Sequence, residues 1–365
     1  IEGLDSVEIS LISPLEQYCN ITSNRNIIFE DYNLITFLNS NKMKPTSMEG
    51  NHQLSEEPLR IAKKELHEDV FTKEEAIYQF RKLIKRNGDL ENMRYDDSFL
   101  MRFLRAKKFS VSLAEQTLLK YLNIRRTFPH MCTNLDFLEP KLNEIISNGY
   151  IFATPKRDKN GRRVVIINAK LFNAKLYNSS DQARAHFLTY ECLMEDQETQ
   201  ISGLTHIGDF SGVTMNHVTI WNPTEFSRLF IWSEQSLPLR HKKIVLINVP
   251  PALKWLIEFV KKHVSSKIRK RLTIYSSEKD LIKDVDSVCL PLELGGQTPL
   301  KDMVEAWKVE LASKRKSVLS LDKITMLSDR GIQRKRSDNS EKSNVTSFTS
   351  RIDSMNGSFR KLEFD

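Results

Sequence analysis

No stretch of this 365-residue chain stays apolar for the roughly 18 residues that a membrane-crossing helix needs. The densest apolar run, Val164-Val165-Ile166-Ile167, has the length of a strand instead. Cysteine is scarce too: Cys19, Cys132, Cys192 and Cys289 lie far apart and form no C-x-x-C pair. That spacing argues against a disulfide framework or a thiolate zinc site and suits a reducing cytosol. The start, Ile1-Glu2-Gly3-Leu4-Asp5, has neither a basic opening nor an apolar stretch, so no secretory signal is expected in it; without an initiator Met, a processed or truncated start stays open. Catalytic signatures are missing as well. The chain has no G-x-x-x-x-G-K-[ST] phosphate loop, no G-x-G-x-x-G, no H-E-x-x-H and no G-x-S-x-G. His206 and Asp209 fall near a strand end, where α/β active sites tend to lie. Three apart on a strand they point to opposite faces, so ordinary packing is expected of them rather than a dyad. The other histidines show no metal spacing. No enzyme, metal site or cofactor is expected.

What is present divides the chain into four parts. Residues 1–55 are mixed, with Asn-rich patches and no sustained periodicity, and read as a flexible N-terminal extension. Residues 56–130 are helical in pattern. Thr72-Lys73-Glu74-Glu75 resembles a capping box ahead of Ala76, Ile77, Phe80, Leu83 and Ile84, and Asn87-Gly88 stops that helix. A second helix carries Phe99, Leu100, Phe103 and Leu104, and a third runs from about Val111 to Pro129. Residues 131–312 alternate between strands and helices. The strands fall on Tyr150 to Ala153, Arg163 to Asn168, Thr205 to Phe210, Lys243 to Asn248 and Leu272 to Tyr275. Helices span Asp181 to Gln200, Pro223 to Ser236 and Pro251 to His263, and Asp158-Lys159-Asn160-Gly161 reads as a hairpin turn. This is the pattern of an α/β layer with a largely parallel sheet. Residues 313–365 are rich in Ser, Lys, Arg and Asp and read as a disordered tail, with Arg334-Lys335-Arg336-Ser337 as a chance or genuine kinase sequence.

The net charge of +8 is unevenly placed. Arg240-His241-Lys242-Lys243 precedes one strand; Lys261-Lys262 and Lys267, Arg269, Lys270, Arg271 follow the helix after it. Between them Leu253, Leu256, Ile257, Val260 and Val264 form one helical stripe, with Trp255, Phe259 and His263 toward another. On a continuous helix, Lys267 and Arg271 would point the same way. A basic segment beside such a helix suits an anionic membrane surface; a plain solvated helix end fits the pattern equally well. Without a stacking platform of aromatics or a reader motif, nucleic acid is not an expected partner.

Asp97-Ser98-Phe99-Leu100-Met101-Arg102-Phe103-Leu104-Arg105-Ala106-Lys107-Lys108-Phe109 resembles the hallmark helix of the CRAL-TRIO lipid-transfer family. Ile207-Gly208-Asp209-Phe210-Ser211-Gly212, Ile244-Val245-Leu246-Ile247-Asn248 and Leu290-Pro291-Leu292-Glu293-Leu294-Gly295-Gly296 resemble later segments of the same family, in order. The likeness runs from about Glu65 to Trp307 and is nearest to the branch of tocopherol- and retinaldehyde-binding carriers and clavesins. It implies an α/β fold in which a helical N-terminal unit packs on a lipid-binding domain with a mostly parallel sheet and a mobile lid helix. The lid would fall on about Val249 to His263 and present Leu253, Leu256, Ile257 and Val260. The resemblance further implies that Arg240, Lys242, Lys267 and Arg271 bind phosphoinositide phosphates. Apolar positions that could line the cavity are Phe152, Ile166, Phe187, Tyr190, Leu193, Ile207, Phe210, Phe226, Phe230 and Ile231. A monomeric cytoplasmic carrier of one hydrophobic, tocopherol- or retinoid-like lipid is then expected, visiting endosomal or plasma membranes reversibly. A phosphoinositide-binding trafficking adaptor with little cargo remains the alternative.

Overall fold

The computed structural model describes residues 54–333, apart from 276 and 277. The proposed extension up to residue 53, Cys19 and the Arg334-Lys335-Arg336-Ser337 sequence lie outside the described residues. The chain opens with α1 (Glu56–Ile61), a π turn (Ala62–Leu66), α2 (Val70–Arg86) and β1 (Leu90–Glu91). Next come α3 (Asp97–Ala106), α4 (Val111–Thr127), α5 (Pro129–Cys132) and α6 (Pro140–Ser147). The expected capping box on Thr72 is not what starts α2. Asp69 is the N-cap: its carboxylate accepts from the Thr72 backbone N–H at 2.8 Å and from the Thr72 hydroxyl at 3.0 Å. Thr72 is therefore the third residue of the helix, and its own N–H is one of the orphan donors that a carboxylate three residues upstream accepts.

The α/β part contains β2 (Ile151–Arg157), β3 (Arg163–Asn168), α7 (Ser179–Met194), α8 (Gln197–Ser202) and β4 (Leu204–Asp209). It continues with α9 (Met215–Thr219), α10 (Pro223–Ser236), β5 (His241–Ile247), α11 (Lys254–His263), α12 (Ser266–Arg269), β6 (Leu272–Tyr275) and α13 (Glu278–Asp284). One sheet of five strands runs β2-β3-β4-β5-β6, antiparallel only between β2 and β3. The Asp158 turn joins that hairpin: its carboxylate accepts from the N–H groups of Asn160 (2.9 Å) and Arg162 (3.0 Å), and Gly161 takes a φ of 71°. Val164, Val165 and Ile166 are fully buried because both faces of this interior strand are covered, so the strand reads as an unbroken apolar run. The helix expected over Asp181 to Gln200 is two helices. Asp196 caps the second through the Glu198 N–H, so α8 starts afresh.

The expected disordered tail from residue 313 is overturned over its first part. Helix α14 (Leu300–Ser320) runs straight through that boundary, and β7 (Thr325–Met326) pairs antiparallel with β1. Polar composition misled here because Val318, Leu321 and Met326 are few but buried, and ion pairs carry the rest: Arg315 grips Asp136 at 2.6 Å and Arg125 holds Asp322 at 2.7 Å. From Leu54 onward the helical and α/β parts therefore cluster as one compact unit.

Two arginines of the hallmark helix weld those parts together. On α3 the apolar face (Phe99, Leu100, Phe103, Leu104) is fully buried, but so are Arg102 and Arg105. Arg102 bonds Glu191 (3.1 Å) and Glu195 (2.5 Å) of α7 and its neighbouring turn, while Arg105 bonds Glu68 and Gln200. Buried guanidinium groups require partners on this scale, since an unpaired charge in a low-dielectric interior is several kcal/mol unfavourable.

Candidate functional site: a basic patch beside an apolar lid

The patch begins where β5 enters the sheet. Leu204 N–H bonds the Arg240 carbonyl at 2.9 Å, and Gly203, at a φ of 83°, supplies the close approach: a Cβ there would collide with that carbonyl. Arg240 bonds the Ile201 carbonyl and pairs with Glu65 at 2.6 Å; Lys242 reaches the same Glu65 oxygen. Lys267 stands on α12. That helix ends at Arg269, so Lys267 and Arg271 do not share a helical face as expected. Arg271 lies in the link to β6 and donates to the His241 carbonyl. The four expected residues nevertheless converge. Partial burial comes first among the causes that push the Lys267 ammonium below its usual range, followed by the charges of Arg271, Arg240 and Lys108. Burial likewise lowers Arg240, Lys242 and Arg271, with neighbouring cations adding to it. Crowded, partly desolvated cations of one sign form a site whose field favours a polyanion.

Sequence reasoning missed three members of this neighbourhood: Lys108, Arg162 and Glu65. Lys108 sits in a left-handed turn after α3 (φ 51°), and no periodicity announces such a position. Glu65 is remote in sequence from its partners and carries no local signal.

The lid segment leaves the sheet immediately beyond β5. Asn248, at a φ of 54°, donates to the Asp209 carboxylate at 2.9 Å, and Asp209 also accepts from the Ser211 N–H and hydroxyl. Asp209 therefore ties off the ends of β4 and β5, a structural role. A 3₁₀ turn (Pro251–Leu253) leads into α11. Leu253 and Ile257 are buried, and Leu256 and Val260 half-buried. Leu253 and Leu256, together with Trp255 and Phe259, pack into a cluster with Phe210, Val213, Met215, Val218, Phe226 and Val249. The apolar face is thus broader than the expected stripe.

The ten expected cavity residues do not share one surface. Tyr190 of α7 meets His206 edge-on at 5.9 Å, so that face of β4 looks toward α7. Ile207, and Ile166 and Phe152 in register with it, point to the opposite face and are fully buried there. Phe187 is buried beside Tyr190 on α7, and Leu193 is fully buried. Phe226 stacks on Phe230 at 6.0 Å on α10, where Ile231 is half-buried, and Phe226 and Phe210 also join the lid cluster. The face carrying His206 continues through Ile244 and Leu246 of β5 and Leu272 of β6, all half-buried. Those strand positions, not Phe152, Ile166 and Ile207, stand on the same side as Tyr190.

Tyr190 also belongs to a column of polar rings. Tyr150 hydroxyl and His186 Nε2 are 2.8 Å apart, Tyr190 packs on His186 and His206, and His206 Nε2 lies 2.8 Å from His241 Nδ1. Burial pushes His186 down to about 4; burial and then the Arg271 charge push His241 to about 4; burial, then His241 and His186, hold His206 well below its usual value. These rings stay neutral in the fold while the unfolded chain protonates near pH ~6.5. The unfolded state then binds more protons, so stability is full above about pH 6.5 and is lost as pH falls toward about 4. Thermal melts between about pH 7 and pH 5 should show a loss on the order of 2 kcal/mol from His186 alone, and His186→Phe should flatten that slope.

Among the described residues no helix is long and apolar enough to cross a membrane. The CRAL/TRIO domain family matches residues 147–296, and the CRAL/TRIO N-terminal domain family matches residues 54–122. Human alpha-tocopherol transfer protein-like protein is 28% identical over 262 residues, covering 72% of this chain and 76% of its own. Clavesin-1 of Xenopus laevis is 29% identical over 251 residues, covering 68% and 76%. A crystal structure of Sfh5 overlaps 74% of this chain and 99% of its own at 17% identity and a TM-score of 0.44. With both domains matched in order, and the hallmark arginines buried between them, the chain belongs to the CRAL-TRIO family of lipid-binding and transfer proteins.

Proposed function

We propose that this chain encloses one hydrophobic lipid, tocopherol- or retinoid-like, between its sheet and the α11 lid and exchanges it at phosphoinositide-containing membranes. It acts as a non-enzymatic, monomeric cytoplasmic carrier that docks reversibly on endosomal or plasma membranes. The lipid is its cargo and it needs no cofactor. The observation that carries this reading is the convergence of Arg240 and Lys242, before the lid, with Lys267 and Arg271, after it. Enclosing a lipid removes several hundred Å² of apolar surface from water, on the order of 10 kcal/mol in favour of the bound state at ~25 cal/mol per Å². Release at a useful rate then requires the membrane to open the carrier. Lipid phosphates held by the patch bring α11 to the headgroup boundary, where Leu253, Trp255, Leu256 and Phe259 exchange protein contacts for acyl chains.

Native mass spectrometry with organic extraction, on protein purified from its own cells, tests the carrier. One hydrophobic molecule per chain is the expected result and names the cargo. Consistently empty protein that still binds phosphoinositide vesicles would replace the carrier by an adaptor.

A further inference from the structure

We propose that Glu65 is a built-in competitor for the lipid phosphate, holding Arg240 and Lys242 from the helical N-terminal unit until a membrane anion displaces it. The inference rests on the phosphoinositide reading above and adds a regulation to that site.

The geometry is that of an occupied anion site. A single Glu65 oxygen meets both the Arg240 guanidinium and the Lys242 ammonium. The Arg240 and Lys242 side chains are only 12% and 13% exposed, whereas Glu65 is 41% exposed. An anion arriving from solution therefore meets the carboxylate before the two cations. Glu65 is also held in place rather than reaching out by chance. It sits in the π turn (Ala62–Leu66), with Leu66 fully buried next to it and His67 reversing the chain at a φ of 62°. Three residues on, Glu68 is anchored to Arg105 by bonds of 3.0 and 2.7 Å. Burial works against the Glu65 charge, but the hydrogen bond and charge of Lys242, then those of Arg240, outweigh it and keep the carboxyl ionised below its usual range.

By contrast, Lys108 and Lys267, which share the neighbourhood, form no ion pair among the described residues. The site is thus half neutralised and half open. The open cations can receive a first phosphate. A phosphomonoester carries about −1.5 to −2 charge and three acceptor oxygens, more than the single carboxylate charge it would replace. Full engagement of Arg240 and Lys242 requires Glu65 to leave, which couples headgroup binding to the helical unit through that turn.

The test measures binding of the full chain to phosphatidylcholine vesicles with and without phosphatidylinositol bisphosphate. Glu65→Gln should bind the phosphoinositide vesicles about two- to fivefold tighter, as expected for loss of a partly exposed competing carboxylate. Glu74→Gln, an equal change of net charge on the exposed face of α2, should leave binding near that of the parent. Glu65→Asp, which keeps the charge but withdraws it by one methylene, should gain less than Glu65→Gln. In a Lys242→Gln background the Glu65→Gln gain should shrink. If Glu65→Gln binds no tighter than Glu74→Gln while the parent binds phosphoinositide vesicles, the competitor is overturned and the docking site stands; weaker binding would make Glu65 an organiser of the cations instead. If neither parent nor variant distinguishes the two vesicles, the docking reading falls and the competitor with it.

Discussion

Replacing Glu191 by leucine should lower the stability of the folded chain by about 3–5 kcal/mol, the range found when one partner of a buried ion pair is removed. Glu191 has no exposed side-chain surface and neither does Arg102, which it meets at 3.1 Å. Its other oxygen accepts from the Tyr121 hydroxyl at 2.7 Å and faces Arg125 at 3.5 Å. Leucine fills the space but leaves the hydroxyl unpaired and two guanidinium groups with one fewer counter-charge. Arg102 retains Glu195, and Arg125 retains Asp322, which keeps the loss from being larger. A midpoint shift in urea reports it, together with a fall in Tm on the order of 10 °C for a unit of this size. Glu57→Gln breaks an ion pair of the same chemistry on the surface, where water replaces the partner, and should leave Tm unmoved. Equal, small shifts for both would mean that water reaches Glu191 and that the two parts of the molecule are not welded by charge.

That weld shows what a linear sequence reveals and what it hides. Apolar alternation and turn chemistry located all five strands of the main sheet, because each is specified by residues within a few positions of one another. The hallmark helix was legible as a motif, yet nothing local explains arginine on its buried face; the reason lies in Glu191 and Glu195, supplied from α7 and the turn beyond it. The same distance in sequence concealed Glu65 behind the four basic residues. Helix limits failed where one side chain decides them, at Asp69 and Asp196. The expected cavity residues are spread over both sheet faces for a different reason. Apolar character does not say which sheet face a strand residue takes, and a shift of one position moves Ile207 away from the side of Tyr190 while His206 stays on it. The tail was misjudged because ion pairs and three apolar anchors, rather than a dense apolar pattern, fasten residues 313–333.

Lys267→Ala combined with Arg271→Ala should weaken binding to phosphoinositide vesicles by about 30-fold, taking roughly 1 kcal/mol for each cation near an anionic surface. Transfer of a fluorescent lipid to such vesicles should fall in parallel, because in this scheme docking precedes lid movement. These two residues are the cleanest to remove. Lys267 is exposed, and Arg271 contributes one hydrogen bond to the His241 carbonyl, which the strand pairing of β5 with β6 can spare. Arg240 and Lys242, in contrast, are tied to Glu65, so their replacement would free an anion within the patch and confuse a lost cation with a gained repulsion. Unchanged Tm for the double variant separates lost docking from lost folding. Raising salt should narrow the gap between variant and parent, since exposed charges are screened over a Debye length of about 8 Å at physiological ionic strength. Binding and transfer that persist together in the double variant would detach the patch from the membrane step. Binding lost while transfer persists would mean that the lid opens through its apolar face alone, with Trp255 and Phe259 rather than the cations as the residues that find the bilayer.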